Sequence, residues 1–142
     1  MFDIQNMKNV NPKVKVIMNK AFEIAKNYEE KEIKPEHVLM ALIVDGKNNA
    51  VKIMENVGVD VKLLATKVKQ ICVDDSPTES RISFGILPLS NETKQIVNDA
   101  DRECEKLKES YVNTEHILLS LIKNKTRCAK LLNDIGLDYI SV

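Results

Sequence analysis

The chain has no tryptophan and only three phenylalanines and three tyrosines, so Leu, Ile, Val and Met must supply its core. At 142 residues it is long enough to bury one core, or two very small ones, without staples. Charge of one sign is lacking too: 21 Lys and Arg stand against 21 Asp and Glu. That balance argues against a nucleic-acid binder, which shows a basic excess or stripe, and against a polybasic membrane contact. No stretch approaches the roughly 20 apolar residues of a membrane span. The opening "MFDIQNMKNV" lacks a charged start followed by an apolar run, so it does not read as a signal peptide. Cys72, Cys104 and Cys128 are odd in number and have no CxxC spacing, which fits reduced thiols in a cytoplasmic protein. Only four glycines are present, and none opens a GxxxxGK phosphate loop. With no GxSxG elbow and no HExxH pair either, the expectation is a protein that is not an enzyme, needs no metal or cofactor, and works by binding.

What the chain does have is a repetition. "PEHVLMALI" (Pro35 to Ile43) returns as "TEHILLSLI" (Thr114 to Ile122), offset by 79 positions. The same offset pairs Val10 and Asn11 with Leu89 and Ser90, Ile17 with Ile96, Ala21 with Ala100, Ile33 with Val112, and Ala50 with Ala129. With one residue lost after Ala50, "VGVD" (Val57 to Asp60) aligns with "IGLD" (Ile135 to Asp138). A match sustained over this length is an internal duplication.

Each half reads as helices. Val14, Ile17, Met18, Ala21, Ile24, Ala25 and Tyr28 follow the spacing of one buried helix face, with Asn11 as cap and Pro12 at the tolerated first position. In the second half Ser90 is the cap, and Thr93, Ile96, Val97, Ala100, Cys104 and Leu107 form the stripe, interrupted where Glu103 replaces Ile24. The EH segments open second helices, a third spans about Ala50 to Asn56, and a fourth runs from about Asp60 to Ile71. Gly58 and Gly136 mark helix ends. No segment shows sustained strand alternation. The expected fold is all-α: a single domain with a four-helix repeat over about 10–72, a linker over 73–89 and a second repeat over about 90–142. In the linker, Ile82, Phe84 and Ile86 alternate as if laid along the helices. After Gly136 only "LDYISV" remains, so the last helix is expected to be short or truncated.

A duplicated helical unit, with EHxLxxL opening the second helix and a Gly-apolar-Asp turn after the third, resembles the N-terminal domain of Clp unfoldases, the ClpA, ClpB and ClpC type of AAA+ protein. "TEHILLSLI" is most similar to the ClpC-like branch. The resemblance implies a pseudo-twofold bundle that receives substrates and adaptor proteins and hands them to a ring-shaped ATPase motor. The isolated domain is then expected to be a monomer in the cytoplasm, with protein partners and without nucleic acid or membrane. The alternative is a free-standing accessory protein that docks on a Clp protease core.

The resemblance also implies a ligand. In ClpC a Glu at the start of the EH helix holds the guanidinium of phosphoarginine, and the start of the first helix receives the phosphate. Carried over, this assigns Asn11 with Glu36 in one half and Ser90 with Glu115 in the other. Both replace the family's usual Thr; Ser90 keeps a hydroxyl, so the second half is expected to bind better. The competing reading is that Glu36 and Glu115 are acids in the first helical turn, favoured by the helix dipole. For His37 and His116 the residues at i+4 are Ala41 and Ser120, so no metal pair forms, and the expected role is packing and hydrogen bonding at the helix start.

Overall fold

A computed structural model describes residues 10–74, 88–108, 111–124 and 126–137. The linker positions Ile82, Phe84 and Ile86 and the C-terminal segment 138–142 lie outside the described residues. Those described form seven helices: α1 (Pro12–Asn27), α2 (Pro35–Asp45), α3 (Asn49–Val57), α4 (Val61–Asp74), α5 (Asn91–Lys106), α6 (Thr114–Lys123) and α7 (Arg127–Asp134). No strand is present among the described residues, only two isolated bridges. None of the helices is long and apolar enough to cross a membrane.

The hairpins α1–α2 and α5–α6 are the main packed pairs, and α2 and α6 meet at the centre. Both third helices pack chiefly on α6: α3 reaches it across from the first half, while α7 lies on it within its own half and touches α2 less. Sequence density explains the central position. In α6 eight of the ten residues are buried, from Thr114 through Ile122 with Glu115 excepted. Leu39, Leu42, Leu118 and Leu121 are fully buried, as the EH repeats lead one to expect of helices covered on most sides.

The predicted stripes fit with one exception. Val14, Ile17, Met18, Ala21 and Ala25 are buried in α1, and Thr93, Ile96, Val97, Ala100 and Cys104 in α5. Leu107 is not: it lies beyond α5 and is 53% exposed, because the chain turns there through Lys108 at φ 56°. Glu103 stays in the interior at 1% exposure, reached by Lys123 at 3.2 Å and Lys106 at 3.5 Å. A carboxylate at an apolar register position is thus tolerated because cations reach it from the rim.

The lost residue of the duplication sits earlier than the sequence alignment puts it. Asn48 caps α3 by accepting from Val51 N, and Thr126 caps α7 by accepting from Ala129 N. Aligned by caps, the buried residues Ala50, Val51 and Met54 match Cys128, Ala129 and Leu132. The deletion therefore falls in the turn before the helix, where a residue is removed without rotating a buried face, and not after Ala50.

Candidate functional site

Asn11 caps α1: its side-chain oxygen accepts from Lys13 N at 2.9 Å. Ser90 caps α5 by accepting from Thr93 N at 3.1 Å. Both caps follow from short polar side chains that satisfy orphan N–H groups at a helix start. The EH helices start differently. His37 Nδ1 accepts from Lys34 N at 2.9 Å, and His116 Nδ1 accepts from Asn113 N at 2.8 Å. An imidazole at the third helical position thus plays the part that Glu or Gln plays in a capping box. This is the expected hydrogen-bonding role of the two histidines. His37 also stacks on Tyr28, with centroids 6.5 Å apart. His116 Nε2 is buried without a hydrogen-bond partner.

The four helix starts meet in crossed pairs. Asn11 N donates to Val112 O at 2.8 Å, beside the bridge Val10–Val112. Ser90 N donates to Ile33 O at 3.0 Å, and Ile33 N donates to Pro88 O at 2.9 Å, around the bridge Ile33–Leu89. The two bridges are the same contact made twice, since the 79-residue offset turns Val10 into Leu89 and Ile33 into Val112. Each first-helix start thereby joins the segment leading into the other half's second helix.

This corrects the pairing taken from the resemblance. Asn11 does not share an end of the bundle with Glu36. Two residues on from Asn11, Lys13 Nζ reaches Asp45 Oδ1 at 2.8 Å. Asp45 ends the helix that Glu36 begins, about 13 Å of helix away. The hairpin is antiparallel, so a first helix begins where its own second helix ends. The structure brings Asn11 toward the α6 start, which carries Glu115, and Ser90 toward the α2 start, which carries Glu36.

The two carboxylates differ in access. Glu36 is 5% exposed, whereas Glu115 is half-buried and accepts from Asn49 Nδ2 at 2.8 Å. The α6 start is tied to α3 a second time, through Thr114 Oγ1 accepting from Ala50 N at 3.2 Å. Pro35 has no hydroxyl with which to repeat this.

The Ser90 hydroxyl faces inward, contrary to the expectation that it offers itself to a ligand. Thr93 Oγ1 donates to Ile33 O at 2.8 Å, so the 2.8 Å contact between the two hydroxyls has Ser90 as donor. Its proton is committed to Thr93 and its lone pair to Thr93 N. At the other site Pro12 removes one N–H from the α1 start, and Asn11 takes that of Lys13. Neither helix start keeps its full set of donors. Sequence reasoning missed Asn49, Thr114 and Thr93 as contributors. Only Thr93 left a signal, as a hydroxyl in an otherwise apolar stripe three residues after a Ser cap.

The comparisons with known proteins agree with this fold. The family described as the Clp repeat (R) N-terminal domain matches residues 9–135. The chaperone protein ClpB of Porphyromonas gingivalis is 27% identical over 131 residues, covering 92% of this chain and 15% of that protein. Among solved structures, the Hsp104 N-terminal domain from Candida albicans superimposes with a TM-score of 0.73 at 20% identity, over 94% of this chain and 86% of that one. A ClpV N-domain in complex with a VipB peptide superimposes with a TM-score of 0.71 at 15% identity, over 96% and 88%. The chain belongs to the Clp repeat N-terminal domain family, whose members head AAA+ chaperones. It spans about 15% of the length of the curated relatives it matches, and the match is to the N-domain alone, with no ATPase module.

Proposed function

We propose that this chain is the recognition domain of a ClpC-like unfoldase, binding adaptor proteins and marked or unfolded substrates in the cytoplasm as a monomeric module that carries out no chemistry itself. The observation that carries the reading is the family match across nearly the whole chain. The peptide seated on a ClpV N-domain of the same fold supports protein segments as ligands.

Phosphoarginine is the specific ligand proposed, at the crossed pair of Asn11 with Glu115. A carboxylate fork suits a guanidinium, and a helix start suits a phosphate. Glu115 is the accessible carboxylate, and the Asn11–Val112 bond joins the α1 start to its segment. Ser90 with Glu36 is the weaker site, its carboxylate buried and its hydroxyl engaged. Calorimetric titration with free phosphoarginine tests this. Saturable heat that falls about tenfold or more in affinity in Glu115→Gln, and much less in Glu36→Gln, is expected from losing a charged hydrogen bond. No heat at millimolar ligand contradicts it.

ClpB chaperones are among the relatives it matches, which favours a second reading in which the domain serves a chaperone without a marked substrate. Under that reading unfolded polypeptide binds and phosphoarginine does not.

A further inference from the structure

The charges of the chain cancel in sum but not locally. Lys123, Lys125, Arg127 and Lys130 fall within eight residues that contain no Asp or Glu. The described part of this stretch lines a groove of about 560 Å³ at the end of α6, the first turns of α7 and the start of α5. Exposed Lys123, Arg127 and Lys130 face it against one carboxylate, Glu92, and Asn124 and Asn133 add side-chain amides. Lys123 is shared with Glu103 behind it at 3.2 Å. The starts of α5 and α7 turn the positive ends of two helix dipoles toward the same place.

The first half serves as a control built into the molecule. Matched through the duplication and the caps, Glu92 corresponds to Lys13, Lys123 to Val44, Asn124 to Asp45, Arg127 to Asn49, and Lys130 to Lys52. There the corner is closed: Lys13 Nζ and Asn48 Nδ2 both reach the Asp45 carboxylate, at 2.8 and 2.9 Å. In the second half Glu92 and Asn124 cannot form that ion pair. Two positions that are apolar or neutral in the first half, Val44 and Asn49, have become cationic.

We infer that this groove docks an acidic segment of a partner protein. Carboxylates spaced along a peptide can pair with Lys123, Arg127 and Lys130 by charge-assisted hydrogen bonds, beside amides of Asn124 and Asn133 that are held on Ser120 and Ala129. A nucleic-acid strand fits less well. The chain has no net charge to hold a long polyanion, and the groove lining includes no aromatic side chain on which a base could stack. None of Asn11, Glu36, Ser90 and Glu115 lines the groove, so the inference stands apart from the phosphoarginine reading.

The test is fluorescence anisotropy of a labelled twelve-residue peptide, Glu alternating with Gly and Ser, titrated with the 142-residue chain at low salt. Saturable binding is expected, weakened about tenfold or more in the double variant Arg127→Gln and Lys130→Glu. It should stay within about twofold of wild type in Lys52→Glu, the same change at the matching position of the first half. The peptide with Gln for Glu should not bind, and affinity should fall as salt rises. Both variants alter exposed side chains, and an unchanged unfolding midpoint confirms that lost binding is not lost folding. No anisotropy change at millimolar chain overturns the inference. So does an equal loss in Lys52→Glu, or tighter binding of a twelve-nucleotide oligothymidylate than of the acidic peptide.

Discussion

The helices α2 and α6 are two copies of one sequence that now hold to the bundle in different ways. Both are central, and both cap themselves with a histidine. At the start of α6, Thr114 and Glu115 reach across to Ala50 and Asn49 on α3. At the start of α2, Pro35 makes no such bond and Glu36 is buried. Further along, Ser120 Oγ of α6 donates to Ile96 O at 2.6 Å, while α2 has Ala41. At the helix end the difference reverses. The first half has the Lys13–Asp45 ion pair, and the second half has Glu92 and an Asn124 amide that donates to Ser120 O. The apolar core is kept and the polar fastenings have diverged. That is the expected order of tolerance, since apolar truncations in a packed interior cost most.

The comparison breaks first if the cores are not equivalent. Leu39→Ala and Leu118→Ala, both at fully buried positions, should each cost about 2–5 kcal/mol in urea unfolding. A loss under about 0.5 kcal/mol in either would put that helix at the surface. Next is the fastening peculiar to α6. Thr114→Val keeps the shape but leaves the buried N–H of Ala50 without its acceptor, at a cost of about 1–3 kcal/mol. No matching effect exists at Pro35, so an equal loss there in Pro35→Ala would contradict the asymmetry.

The duplication, the helix stripes and the buried EH helices were legible because a 3.6-residue period and a repeated motif are local signals. The crossing was not. Val10 and Leu89 precede the first helices, and Ile33 and Val112 precede the second, so four alike apolar lead-ins permit pairing within or between halves. Only the antiparallel hairpin, visible in the Lys13–Asp45 contact, forces the pairing between them. The direction of the Ser90 hydroxyl was likewise hidden, because it depends on Ile33 O, a carbonyl 57 residues earlier in the chain. The deletion was placed late because Ala50 and Ala129 agree by identity, whereas the caps and buried faces align one residue differently.

A smaller effect concerns acid. Burial works to raise the Asp45 carboxyl, but hydrogen bonds from Lys13, Asn48 and the Lys47 backbone, with the charge of Lys13, outweigh it and hold the group below the usual carboxylate value. Its folded value is lowered, so its contribution is fully present above the unfolded value of about 3.9 and is lost as pH falls through the folded one. Asp45→Asn should remove that acid-side dependence and cost about 1 kcal/mol or less at neutral pH. Unfolding midpoints of wild type and variant between neutral pH and about pH 2 check this, and parallel curves would contradict it. The second half already carries Asn124 at this position.

The smallest expected effect is a gain. Glu29 and Lys108 occupy the same left-handed position after α1 and α5, at φ 57° and 56°. Lys108→Gly and Glu29→Gly should each stabilise by roughly 0.5 kcal/mol, the relief of a side chain in that region less the entropy of a freer unfolded chain. Thermal unfolding of both variants shows whether the two turns still behave alike.

The central claim is that ligand recognition occurs where a helix start of one half meets the second helix of the other. Amide NMR during titration with free phosphoarginine tests it most directly. The account predicts shifts that saturate together at Lys13 and Val14, at the α6 start from Asn113 to Glu115, and at Asn49, with the α2 start at Glu36 and His37 changing less. Shifts that join the α1 start to Glu36 and leave Glu115 unmoved would contradict the crossed site, and a spectrum unchanged at millimolar ligand would contradict phosphoarginine as the ligand.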